Sequence, residues 1–86
     1  MNREWVLFHL GEAQGELAAT IQAIREDPEY DYGEFLVAVQ HLYYHLNTAW
    51  NSRDATADQV AGQSDEDFNR WSQFPMVRRQ CCLTSR

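Results

Sequence analysis

The chain has 86 residues, 44% hydrophobic and 13% aromatic, with four Gly and two Pro. That balance describes one small folded domain and excludes a disordered, collagen-like or multidomain chain. Thirteen acidic against seven basic side chains give a net charge of −6, which argues against binding to phosphate backbones or anionic membranes, so neither nucleic acid nor membrane is expected as a partner.

No stretch approaches the roughly 20 apolar residues of a membrane-spanning helix. Near the start, Glu4 and the short run from Trp5 to Leu10 stand where a secretion leader needs basic residues and then a longer apolar region. A cytoplasmic location is the expectation. All seven basic residues are Arg. The lack of Lys excludes Schiff-base chemistry, a lysine general base and a phosphate-binding loop ending in Gly-Lys-Ser/Thr.

Asn2 can cap a helix on which Val6, Leu10, Ala13, Leu17, Ile21 and Ile24 recur at spacings of three and four, the helical and not the strand period. The first helix is predicted over about 3–26, ended by Pro28, which forces Asp27 out of helical conformation. Asp31 followed three residues later by Glu34 is a capping box, and Phe35, Val39, Leu42, Leu46 and Trp50 continue at helical spacing, predicting a second helix over about 32–52. The short connection makes the two antiparallel neighbours.

Past Trp50 the polar run Asn51-Ser52-Arg53-Asp54 favours a break, with a restart at Thr56. Ser64 can cap a short third helix over about 65–73, with Asp67 at its third position and Phe68 and Trp71 on one face. Pro75 stops it. The fold class is therefore all-α, a helical domain over residues 1–75 followed by a basic tail, 76–86, expected to be flexible. Residues 1–67 carry a net −10 and residues 68–86 a net +4. Cys81 and Cys82 in that tail are adjacent, a poor geometry for an intramolecular disulfide, and lack the second pair a zinc site needs.

The two apolar stripes, Leu10, Leu17, Ile21 and Ile24 against Phe35, Val39, Leu42 and Leu46, are expected to form the seam of the hairpin. Leu7, Leu36, Tyr43 and Trp50 then share a flank, while Phe8 and Tyr44 point away from the seam. One short helix cannot cover both surfaces. A homodimer resembling a four-helix bundle is therefore expected, with Phe8, Tyr44, Leu7, Leu36, Tyr43 and Trp50 at its contacts. This makes the chain a small acidic protein-interaction module without catalytic activity, able to take another protein as partner.

The alternative reading is a metal-binding protein. Trp5, His9, Glu12 and Glu16 form one stripe on the first helix, and Glu34, His41, His45 and Thr48 the corresponding stripe on the second. Folding the hairpin brings Glu12, Glu16, His41 and His45 toward one another, a donor set suited to a divalent metal cofactor such as Zn, Fe or Mn. The bland reading of the same four residues is a set of hydrogen bonds or ion pairs across the hairpin. The pattern lacks the Glu that follows the first His in zinc proteases, Leu42 standing there, and the Glu-x-x-His pair of di-iron bundles. The serines sit outside any nucleophile-elbow pattern, so no catalytic residue is assigned.

Overall fold

The computed structural model describes residues 1–74. The basic segment 76–86, with Cys81 and Cys82, lies outside the described residues. Four helices follow one another: α1 (Arg3–Glu26), α2 (Tyr32–Asn51), α3 (Ala57–Ala61) and α4 (Asp65–Trp71). No helix among the described residues is long and apolar enough to cross a membrane.

Each boundary has a local chemical cause. The Asn2 side chain accepts a hydrogen bond from the Trp5 amide at 3.1 Å, satisfying one of the amides orphaned at a helix start. At the other end of α1, Asp27 is extended, as the following proline requires, and its carboxylate accepts from the Glu29 amide at 2.8 Å to start the turn. Reciprocal capping boxes open the remaining helices: Asp31 with Glu34, Thr56 with Gln59, and Ser64 with Asp67. The break after Asn51 is present, and the restart at Thr56 forms the short α3.

The two long helices pack along each other as an antiparallel hairpin, and α4 packs across α2. Three amide contacts fix α4 in place: Asn47 donates to the Ser72 carbonyl at 3.0 Å, and Asn51 donates to the carbonyls of Trp71, at 2.8 Å, and Gln73. Trp71 is buried and meets Trp5 edge-on, ring centroids 6.3 Å apart. The indole N–H of Trp5 in turn donates to the Ser52 hydroxyl at 2.8 Å, while Asn2 donates through its side chain to Ala55 and through its backbone to Arg53. The open end of the hairpin is thus closed by polar contacts to the 52–55 loop.

The seam corrects the sequence expectation. The buried apolar side chains are Ala13, Ala38, Ala49, Ala55 and Trp71, accompanied by His9, Thr20, His45, Asn47, Thr48 and Ser52. Of the large residues assigned to the seam, Leu10, Leu17, Ile21, Ile24, Phe35 and Leu46 remain 42–49% exposed, and only Val39 and Leu42 are half-buried. At 100° per residue, the buried face of each long helix is about a quarter turn from its apolar stripe. The helices meet on small residues and imidazoles because these allow close approach, and they leave their aliphatic stripes side by side on one face.

That face can be followed from end to end. Near the open end, Val6 and Leu10 share an apolar groove with Leu46, Ala49 and Trp50. Near the turn, Ile24 and Phe35 share a hollow with Tyr30 and Tyr32. Helix α4 is on the other face, where Phe68 lies 5.2 Å from Tyr44, centroid to centroid.

Ala38 is buried in the hairpin seam, and substituting it by Leu should lower unfolding free energy by about 1–3 kcal/mol, read from the urea midpoint. By contrast, Gly15 has open space where a Cβ would stand, with no atom within 4 Å. Gly15→Ala should therefore stabilise the chain by about 0.5–1 kcal/mol in the same assay.

Candidate functional site

The polar face of the hairpin holds an unbroken row of hydrogen-bonded side chains. His41 and His45 are one helical turn apart on α2, and folding the hairpin sets His9 and Glu16 of α1 at either end of that pair. The imidazole of His41 donates through Nδ1 to Glu16 Oε1 at 2.8 Å. Its Nε2 is 3.1 Å from His45 Nε2, and His45 Nδ1 is 2.9 Å from His9 Nδ1. Glu16 is further held by the Thr20 hydroxyl, which donates to Oε2 at 3.3 Å.

Aromatic rings shield the inner end of the row. Trp5 meets His9 edge-on at 4.4 Å, Phe8 does so at 5.1 Å and Tyr44 at 5.9 Å, all centroid to centroid. His9 is 2% exposed and His45 6%, whereas the His41 side chain is 51% exposed. The row therefore runs from a ring at the surface to one sealed inside. At the sealed end, His9 Nε2 is buried without a hydrogen-bond partner among the described residues.

Burial decides the charge of the inner rings. Desolvation, reinforced by the neighbouring His45, pushes the His9 pKa down to about 4, against a weaker upward pull from Glu12. His45 is lowered as well, first by burial and then by His41, with Glu12 and Glu16 opposing. His9 is thus neutral near pH 7, with one donor and one acceptor nitrogen. Because a carboxylate only accepts, Glu16 fixes His41 as donor through Nδ1. With all three rings neutral, the remaining donors follow in sequence: His45 donates to His41, and His9 donates to His45.

Of the expected metal ligands, Glu16, His41 and His45 are brought into this row. Glu12 is exposed and outside it, acting on His9 and His45 only through its charge. No group of three or more His, Cys, Asp or Glu side chains among the described residues is arranged to hold a metal ion. The member that sequence reasoning leaves out is His9. Its place on the stripe with Trp5, Glu12 and Glu16 is the available signal.

The residues expected at a contact between copies separate into three groups. Trp50 borders the aliphatic face, lining the groove with Leu46. Leu7, Phe8, Leu36 and Tyr43 are exposed, with Phe8 stacked on Trp5 and Tyr43 edge-on to Phe74. Tyr44, expected to be uncovered by the rest of its own chain, instead packs on Phe68 of that chain. Comparison with protein-family models, curated proteins and solved structures finds no match for this chain.

The buried imidazoles give stability a defined pH dependence. The folded-state pKa of His9 is below its unfolded value of 6.5, so its stabilising contribution is present above pH 6.5 and is lost as pH falls through about 4. In chelator-containing buffer, the melting temperature should drop by about 5 °C or more between pH 6.5 and 4.5. His9→Leu should flatten that slope, as followed by circular dichroism.

Proposed function

We propose that the chain is a self-associating helical interaction module in which two copies meet through the aliphatic faces of their hairpins. The observation that carries this reading is the composition of the interior: four alanines and one tryptophan are the only buried apolar residues among those described, while six Leu, Ile and Phe side chains form an exposed stripe. A chain of this size buries too little surface for its large aliphatics to be left idle. Leu10, Leu17, Ile21, Ile24, Phe35, Leu46 and Trp50 together expose on the order of 700 Å², above the few hundred Å² typical of a soluble monomer's largest patch and close to the roughly 800 Å² per partner of a standard interface.

Charge supports a second copy as the occupant. Despite a net charge of −6, every acidic residue of the two long helices, Glu4, Glu12, Glu16, Glu26 and Glu34, projects more than about 90° around its helix from the stripe. Two such faces can meet without bringing carboxylates together, and pairing two hairpins gives four helices around one aliphatic core. An isologous two-fold contact is the simplest closed arrangement.

Gel filtration with light scattering at tens of micromolar should give twice the chain mass. Leu17→Glu and Ile21→Glu, in the middle of the stripe, should each give a single chain mass with the helical spectrum largely retained. Phe8→Ser, on the opposite face, should remain dimeric. A wild-type protein running at one chain mass across that concentration range would overturn the reading.

A further inference from the structure

We propose that His41 and His45 form a binding site for a divalent first-row cation with affinity for imidazole, copper(II) or zinc, with their Nε2 atoms as ligands and Glu16 and His9 as the groups that orient them. This site is separate from the aliphatic face and does not rest on self-association.

The ring geometry distinguishes the two imidazole contacts in the row. Two rings joined by a straight hydrogen bond have centroids separated by the nitrogen–nitrogen distance plus about 2.3 Å, the sum of the two centroid-to-nitrogen lengths. His9 and His45 fit that rule: nitrogens 2.9 Å apart, centroids 5.1 Å apart. His41 and His45 do not. Their Nε2 atoms are 3.1 Å apart, for which a straight bond requires about 5.4 Å between centroids, yet the centroids are at 4.7 Å. The rings are tilted off the line between the nitrogens, with 46° between their planes, and a separation this short is the one two lone pairs shared by a single ion require. An ion about 2.0–2.1 Å from both nitrogens would subtend an angle near 100° and place the centroids about 4.8 Å apart. That agrees with the observed separation.

The far side of each ring is already occupied as a metal ligand's should be. Histidines that bind metal through one nitrogen almost always anchor the other to a carboxylate, carbonyl or similar acceptor, which fixes ring orientation and tautomer. Here Glu16 accepts from His41 Nδ1, and His9 Nδ1 stands ready to accept from His45 Nδ1. Taking up a cation requires a lone pair on both Nε2 atoms. The His45 proton moves to Nδ1 and is donated to His9, whose own proton moves to Nε2, so three neutral rings stay neutral and no proton leaves the row. Glu16 is thereby assigned as an orienting partner and not a direct ligand.

His41 is half exposed, which gives the ion a way in and leaves its remaining coordination positions to water. Two protein ligands on adjacent turns of one helix imply micromolar affinity, and imidazole donors rank copper(II) above zinc.

The test uses the full chain without an affinity tag, stripped with chelator, carrying Cys81→Ser and Cys82→Ser so that thiols do not compete. Titration calorimetry with copper(II) and with zinc should show one ion per chain, copper tighter. His41→Ala, at a half-exposed position, should retain the helical spectrum and weaken binding at least about tenfold, and Glu16→Gln should weaken it by about tenfold. Nitrogen-15 imidazole spectra should show the His45 proton moving from Nε2 to Nδ1 on zinc addition. If His41→Ala does not fold, Glu16→Gln and the tautomer shift decide. Absence of uptake at 100 μM of either ion, uptake that both variants leave unchanged, or an unaltered His45 tautomer on zinc uptake would each overturn the proposal.

Discussion

The close approach of α1 and α2 is the constraint from which the other features of this molecule follow. Helices whose contact residues are Ala13, Thr20, Ala38 and Ala49 come nearer than helices separated by leucines. At that separation an imidazole from α1 can reach one on α2 directly, as His9 reaches His45 at 2.9 Å. A seam of interdigitated Leu and Ile would hold the axes further apart and leave the histidines to water. The histidine row and the exposure of the aliphatic stripe are therefore two consequences of a single choice of helix rotation.

That choice has an electrostatic side. A seam containing imidazoles is compatible with a stable fold only if the rings are neutral and hydrogen-bonded, because an unpaired polar group in a dry interior costs more than a made hydrogen bond returns. The row meets this requirement along most of its length, with Glu16 setting the direction at the surface end. The exception is His9 Nε2, sealed behind Trp5, Phe8 and Tyr44. The aromatic cage and the lowered pKa of His9 express the same fact: the inner end of the row has exchanged solvation for packing.

How much of this could be read from the chain depends on the range of the interaction concerned. Helix ends are local, and Asn2, Asp31, Thr56, Ser64 and Pro28 announce them through groups at most four residues away. The boundaries of α1 are as expected, and α2 closes within a residue of expectation. Short α4 ends at Trp71 rather than near residue 73, since Asn47 and Asn51 capture the carbonyls of residues 71–73 from outside the helix. Helix rotation is not local. Periodicity finds the most apolar stripe, but what covers that stripe is decided by the competition between burying Leu10, Leu17 and Ile21 and bringing Ala13 and Ala38 into contact. The sequence pattern contains both stripes and ranks them by hydrophobicity alone, which selects the wrong one for the hairpin seam. The Glu16–His41–His45 part of the row is accessible because its members sit at level positions on stripes that any antiparallel rotation of this hand brings together. His9 needs the closer approach to be recognised.

The rotation also divides the molecule into two faces that can act without interfering. Turning the aliphatic stripes to one side sends the carboxylates of both long helices, the half-exposed His41 and the whole of α4 to the other. Covering the aliphatic face with a second copy would therefore leave His41 open to solvent and Glu16 in contact with it, and an ion held between His41 and His45 would sit on the outer surface of a four-helix assembly. Coupling between the faces would have to pass through the seam itself, through the small residues and His45 that lie between them. The acidic face, with its ordered row of rings, and the aliphatic face are thus chemically separate, and that separation is set by where the alanines fall on two helices.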